Sequence, residues 1–172
     1  MIYLFLLAVI QAPVKVCARA IHQLSARKPA PFIALNCAGL SEQFIESELF
    51  GHVKGAFTDA KQPRDGAVKR AQYGTLFLDE ISELPLPLQA KLLRFTENFR
   101  YKKLGSDSEQ QADIRLLSAS NKNLKLLVQH NKFREDLYYR LQVGHINMPD
   151  LKDRQNDIID IALYYFVIIP LT

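Results

Sequence analysis

Short apolar runs alternate with amphipathic stretches along this chain, and the alternation predicts its elements. Ile2 to Ile10 is a continuous apolar run, the pattern of a strand buried on both faces of a parallel sheet. Val14 to Ser25 places Val14, Cys17, Ala18 and Ile21 on one helical face. Phe32 to Leu35, following Pro31, reads as a short strand. Ser41 is a helix N-cap candidate with Glu42 in the first turn, and Phe44, Ile45 and Leu49 follow at helical spacing. Gly51 to Gly66 has no periodicity and reads as a long loop. Thr75 to Leu78 is a buried strand ending in Asp79-Glu80, and Leu86 to Phe99 is a helix with Leu88, Leu92, Leu93 and Phe95 inward. Ile114 to Ala119 reads as a strand, Phe133 to Leu141 as a helix and Val143 to Met148 as a last strand. Strands alternating with helices predict an α/β fold, with a mostly parallel sheet and right-handed crossovers.

Composition narrows the class. The chain has 172 residues, 48% hydrophobic and 23% charged, which fits one globular domain and excludes a disordered tail, a collagen-like chain and a disulfide miniprotein. Cys17 and Cys37 have no metal-ligand spacing and suggest a reducing compartment. The net charge is +4, and no acidic residue precedes Glu42, whereas Lys15, Arg19, Arg27 and Lys28 do. Such an end either meets an anionic partner or is a solvated basic face. Ile2 to Ile10 and Ile161 to Ile169 are both short for a membrane helix, which takes roughly 20 residues. The first run resembles a signal-peptide core, with Ala18-Arg19-Ala20 as a cleavage site, but no positive residue precedes it. A buried strand is the preferred reading, which leaves a cytoplasmic protein with no membrane association.

Several segments carry candidate chemistry. Gly74-Thr75-Leu76-Phe77-Leu78-Asp79-Glu80 delivers two carboxylates to the C-terminal end of a buried strand, the edge where open α/β sheets bind ligands. One carboxylate there can hold Mg²⁺ and the next can polarise a water; alternatively the pair opens a turn. A nucleotide hydrolase would also need a glycine-rich phosphate cradle after the first strand. The first glycine in this chain is Gly39, and Gln11-Ala12-Pro13-Val14-Lys15 contains none. Pro13 also removes a backbone donor, so no phosphate loop can be built there. Asn121, after Ser118-Ala119-Ser120, could reach a phosphate or position water, or simply make a turn. Arg134 and Arg140 would lie roughly 120° apart around one helix and so would not clamp one ligand; each could act on a neighbouring subunit or pair with nearby carboxylates. Phe57, within Gly55-Ala56-Phe57-Thr58-Asp59-Ala60, is either a partner anchor at a loop tip or a ring folded back on the core.

Taken together, Phe32 to Cys37, Glu48 to His52, Gly55 to Ala60, Gly74 to Ile81, Glu83-Leu84-Pro85 and Phe133 to Leu141 resemble the central AAA+ domain of bacterial enhancer-binding proteins, the ATPases that activate sigma-54 RNA polymerase. The resemblance covers roughly Ala18 to Ile161. It implies an AAA+ P-loop-NTPase-like parallel sheet flanked by helices, a family function in transcription regulation, and ATP and Mg²⁺ as family cofactors. By resemblance Asp79 would hold Mg²⁺, Glu80 would activate water and Asn36 would restrain Glu80 and relay the nucleotide state. Asn121 would be the first sensor. Arg134 and Arg140 would be arginine-finger candidates acting on ATP of the adjacent protomer in a homo-oligomeric ring. Phe57 and Thr58 would tip the loop that touches the sigma factor.

Three features depart from that pattern. The phosphate loop is missing, and the position of its lysine falls on Val14, one residue before Lys15. Asp59 stands where the family's contact loop usually has glycine, adding charge and removing backbone freedom. The helical lid and the DNA-binding helix-turn-helix are expected to be absent, leaving residues 1–172 as a single partial AAA+ domain, incomplete at both ends, with no specific DNA-binding motif. Met1 to Val14 and Phe166 to Thr172 do not resemble the family and read as substituted ends of a fragment or a decayed gene. The sequence therefore predicts a family member with impaired ATPase activity, or a nucleotide-free interaction module or nonfunctional remnant.

Overall fold

The computed structural model describes residues 4–9, 14–39, 41–148 and 153. Five strands form one parallel sheet: β1 (Leu4–Val9), β2 (Phe32–Asn36), β5 (Thr75–Asp79), β8 (Arg115–Ser120) and β9 (Gly144–Met148), in the spatial order β2-β5-β8-β1-β9. Two small antiparallel hairpins lie outside it: β3 (Gly51–His52) with β4 (Arg64–Asp65), and β6 (Arg100–Lys102) with β7 (Glu109–Gln111). The helices are α1 (Val14–Gln23), α2 (Glu42–Phe50), α3 (Ala67–Arg70), α4 (Leu86–Asn98), α5 (Leu124–Gln129) and α6 (Glu135–Leu141), with a 3₁₀ turn at Ile81–Glu83. The α/β class and the strand reading of the first apolar run both hold, since β1 lies between β8 and β9. Among the described residues no helix is long and apolar enough to cross a membrane. The apolar run from Ile161 to Ile169 lies outside the described residues.

Alternation along β5 and β8 splits the core into two layers. Leu76, Leu78 and Leu116 join Ile45, Leu49, Leu88, Leu92 and Phe95 on one face. Phe77, Leu117 and Ala119 join Ala18 on the other, with Val14 and Ile21 of α1 packed against them. Side chains of successive strand residues point to opposite faces, so a strand covered on both sides must be apolar throughout. Thr75, Leu76, Phe77 and Leu78 are each 0% exposed; burying each large apolar side chain is worth on the order of 2 kcal/mol.

The elements differ from the expected ones in physically informative ways. Ser41 does cap α2, its hydroxyl accepting from the Phe44 N–H, but the Phe44 side chain faces solvent while Ile45 and Leu49 are buried. The predicted loop from Gly51 to Gly66 is closed at its base by β3 and β4, two residues each, too short to show a period. Phe133 to Leu141 is helical only from Glu135; Arg134 is the extended N-cap, so the expected angle between two helical arginines does not apply. The predicted helix from Leu86 to Phe99 ends at Asn98, with Phe99 in the left-handed conformation at its C-cap. Leu93 is only partly buried. Helices α3 and α5 and the β6–β7 hairpin were not expected from the pattern.

Two local contacts fix the sheet's neighbours. Gly66 approaches Gly51 so closely that a Cβ on Gly66 would lie 2.3 Å from the Gly51 nitrogen. Gly66→Ala is expected to open this junction and lower stability by about 1–3 kcal/mol or more, read as a loss of denaturation midpoint at unchanged slope. His22, buried at the end of α1, hydrogen-bonds the Thr75 hydroxyl through Nδ1 at 2.9 Å. Burial pushes its pKa down, helped by Arg115 and Arg19 and opposed by backbone hydrogen bonds at Ala30 and Lys28. The unfolded chain therefore binds a proton at this site more readily than the native state. Stability contributed by the neutral ring is complete above the unfolded pKa of about 6.5 and is lost as pH falls from there toward the depressed native value. Denaturant midpoints should fall between pH 7.5 and 5.5, and His22→Gln should flatten that dependence.

Candidate functional site

Parallel register brings the polar ends of three strands to one edge. Asn36 pairs in register with Asp79 across β2 and β5, and Leu78 with Ser118 across β5 and β8. The chain leaves β5 at Glu80, which adopts a left-handed backbone with φ 55° and ψ 45°. Left-handed geometry is uncommon for a residue bearing a Cβ, and here the Asp79 carboxylate supports it by accepting the Glu80 N–H at 3.0 Å. The Glu80 side chain is then held by Asn121 at the end of β8, whose Nδ2 donates to Oε1 at 2.9 Å. Its other oxygen, Oε2, is buried and has no hydrogen-bond partner among the described residues.

The edge is strongly acidic. Burial raises the pKa of Asp79, while the Glu80 N–H and the charge of Lys15, on the first turn of α1, act in the opposite direction. Burial also raises Glu80, reinforced by Asp79 and Glu83 and opposed by Lys122 and Asn121. Lys122 is itself ion-paired to Glu83 at 2.6 Å. Cys37, buried at the end of β2, is pushed up to about 12 by burial and by both carboxylates, so it is an inert thiol rather than a nucleophile.

Asn36 is placed at this edge, but its side-chain oxygen accepts the Ala38 N–H at 2.8 Å; the partner of Glu80 in this structure is Asn121. The edge thus gathers Asp79, Glu80, Asn121 and Asn36. Val14 and Lys15 begin α1, while Gln11 to Pro13 lie outside the described residues.

The two arginines do not join that edge. Arg134, exposed at the N-cap of α6, forms a two-point ion pair with Asp136, Nε–Oδ1 at 3.0 Å and Nη2–Oδ2 at 2.7 Å. It lines a surface cavity of about 360 Å³ with Leu86, Val128 and Phe133. Arg140 reaches the other way, donating to the Thr96 carbonyl in the last turn of α4 at 2.7 Å.

The loop from Val53 to Pro63 stands on the β3–β4 stem. Arg64 pairs with Glu48 of α2 at 2.5 Å, and Asp65 with Lys103. The Val53 N–H donates to the Leu104 carbonyl at 3.1 Å, tying the loop's base to the β6–β7 turn. Phe57 is half-buried, its ring edge-on to His52 with centroids 5.0 Å apart, so the folded-back reading fits better than a free anchor. His52 donates through Nε2 to the Gln62 carbonyl at 2.9 Å, which leaves Nδ1 to accept from the Ser47 hydroxyl at 2.7 Å. Thr58 and Asp59 are exposed. Among the described residues only Tyr73, Glu80, Phe99 and Asn131 are non-glycine with positive φ; Asp59 therefore adds charge without backbone strain.

The electrostatics generate a test. Asp79 takes up its proton more readily in the native state than in the unfolded chain, so native stability falls as pH rises from about 3.8 through the raised native value. Asp79→Asn keeps an oxygen for the Glu80 N–H and removes the charge. The variant should melt higher than wild type at pH 7, with the gain gone below pH of about 3.5, as read by thermal denaturation at both pH values.

Comparison with known proteins agrees with this architecture. The family described as the sigma-54 interaction domain matches residues 14–147. The luminescence regulatory protein LuxO of Vibrio campbellii is 51% identical over 148 residues, covering 86% of this chain and 33% of LuxO. The regulatory protein AtoC of Escherichia coli is 50% identical over 148 residues, covering 86% of this chain and 32% of AtoC. The chain thus spans about a third of the length of these relatives. Among solved structures, NtrX from Brucella abortus superposes with a TM-score of 0.86 at 31% identity, over 94% of this chain and 36% of NtrX. NtrX has also been solved with ATP and with ADP. A matched family model over most of the chain, two relatives at half identity and a close structural superposition agree: the chain belongs to the sigma-54 interaction domain family, the AAA+ domain of sigma-54-dependent transcription activators.

Proposed function

We propose that this chain is a sigma-54 RNA polymerase activator module in which the carboxylate half of the nucleotide site is kept and the phosphate half is lost. The observation that carries this reading is the asymmetry of one sheet edge. Asp79 and Glu80 are delivered by a buried strand, and Glu80 is oriented by Asn121. The run from Met1 to Ala38, which includes the residues between β1 and α1, contains no glycine. The carboxylate half fits ATP with Mg²⁺: Glu80 Oε2 is buried and unpaired, as a group awaiting a water or ligand would be. Asp79 would hold the metal, which would supply charge neutralisation on the phosphates, and Glu80 would orient the attacking water. The phosphate half does not fit. Pro13 lacks a backbone donor, no glycine frees the backbone to wrap a phosphate, and Val14 stands where the cradle's lysine would.

A protomer of this kind binds nucleotide weakly and turns it over poorly, because the lost donors supply both ground-state contact and transition-state stabilisation. Its outward faces are less affected. Thr58 at the tip of the Gly55–Ala60 loop is free to meet the sigma factor, with Phe57 and His52 shaping the loop beneath it. The Arg134 guanidinium is exposed and pairs with Asp136, two residues away, which makes it the better placed of the two arginines to reach an adjacent protomer's nucleotide in a ring. Arg140, committed to the Thr96 carbonyl, positions α6 on α4. Sigma-54 contact and ring assembly are thus the retained roles. A nucleotide-free interaction module is the limiting form of this reading, favoured to the extent that the cradle is required for any binding.

Titration with a fluorescent ATP analogue and Mg²⁺, with Asp79→Ala as control, tests the site directly. Binding is expected to be weak and further weakened in the control, with turnover about 10²-fold or more below that of a cradle-bearing relative. Brisk Mg²⁺-dependent turnover that Glu80→Gln abolishes would overturn the impairment.

A further inference from the structure

Gln89 is a polar residue in an apolar layer. It is 0% exposed, in the first turns of α4 between the buried Leu88 and Leu92. Its carboxamide is nevertheless matched to its surroundings. Nε2 donates to the Leu84 carbonyl at 2.8 Å and to the Lys132 carbonyl at 3.2 Å, and Oε1 accepts the Arg134 N–H at 2.8 Å. Carbonyls only accept and an N–H only donates, so the orientation of the amide is fixed.

The three groups belong to two segments far apart in sequence. Leu84 closes the turn that starts at Glu80: the Glu83 N–H bonds the Glu80 carbonyl at 2.9 Å and the Leu84 N–H bonds the Ile81 carbonyl. Lys132 and Arg134 lead into α6, and the Arg134 carbonyl accepts the first N–H bond of that helix, from Tyr138. An apolar residue of the same length would fill the space. It would leave two carbonyls and one N–H unpaired inside the protein, a cost a purely space-filling position would not carry.

We propose that Gln89 is the positioning residue for Arg134, linking the backbone turn behind Glu80 to the N-cap that carries the guanidinium. A change at the carboxylate edge of one protomer is thereby felt at the arginine it offers to the next. This rests on the trans role of Arg134 proposed above, but the link itself is a property of the single chain. It is tested without nucleotide.

The experiment is NMR of the full chain as wild type, Gln89→Met and Gln89→Glu. In Gln89→Met the Arg134 amide should exchange with solvent about 10-fold faster or more, while the Tyr138 and Gln142 amides of α6 keep their protection. Gln89→Glu retains an oxygen for the Arg134 N–H and loses both donors, so the Arg134 amide should stay protected. Glu80→Gln should shift the Arg134 Nε–H resonance in the wild-type background, and that response should fall by about half or more in either Gln89 variant. If one variant does not fold, the other carries the comparison. Uniform acceleration of all amides, or a Glu80→Gln response that is absent in wild type or undiminished in the Gln89 variants, overturns the proposal. Failure of the trans role would appear elsewhere: Arg134→Ala would leave unchanged the effect of this chain on ATP turnover by a cradle-bearing relative mixed with it.

Discussion

Burial of β5 on both faces is the constraint on which the rest depends. From Thr75 to Leu78 nothing reaches solvent, so the strand has one position in the sheet and one register with β2 and β8. The two carboxylates that follow have no freedom to drift from the edge. The cost is local: Asp79 and Glu80 both lose hydration, the Asp79 charge raises the proton affinity of Glu80, and Glu80 sits in left-handed backbone. Such strain persists only where the surrounding structure over-determines it, and it marks working sites more often than scaffolding. Here a rigid apolar strand supplies that determination, and Asn121 and the Asp79 carboxylate complete it.

On the proposed reading, the same rigidity would keep the edge in place without a phosphate cradle. The carboxylates are placed by β2, β5 and β8, and the layer behind them is closed by α2, α4 and α6. On the opposite face α1 still packs through Ala18, Val14 and Ile21 against Phe77, and His22 still anchors to Thr75. The core strands thus hold the two carboxylates whatever stands between β1 and α1, which is the division the proposed reading requires.

Legibility in the sequence followed the same division. The continuous apolar runs of β5 and β8 could be read directly, because a strand covered on both faces leaves a pattern with little alternative, and the run holding β1 was legible as a strand in the same way. Leu88, Leu92 and Phe95 likewise marked α4 by period. The β3–β4 and β6–β7 hairpins and the four-residue α3 were illegible, since two to four residues cannot display a period, and the Glu48–Arg64 and Asp65–Lys103 pairs at the hairpins join residues far apart in sequence. Asp79 and Glu80 stood out at the end of their strand, and Asn121 at the end of its own. That Asn121 rather than Asn36 would hold Glu80 was not readable, because both lie at the same edge and only side-chain geometry separates them. Arg134 and Arg140 were visible as a pair, but their divergence rests on where α6 begins, and a boundary is the least determined feature of a helix.

Gln89 was invisible for a different reason. A glutamine on the inward face of an amphipathic helix looks like a break in the apolar pattern, and pattern reading discards it. Physical accounting does the opposite: a fully buried amide with donors and acceptor all paired is costly to replace by anything of another chemistry. Leu92 and Phe95, three and six residues further along α4, show what the position would hold if filling space were its whole task. The polar exception sits where the turn behind Glu80 meets the entry to α6, and it ties the two backbone segments together without a strand between them. A side chain with two donors and one acceptor in a plane meets that requirement, and an apolar one of equal volume cannot.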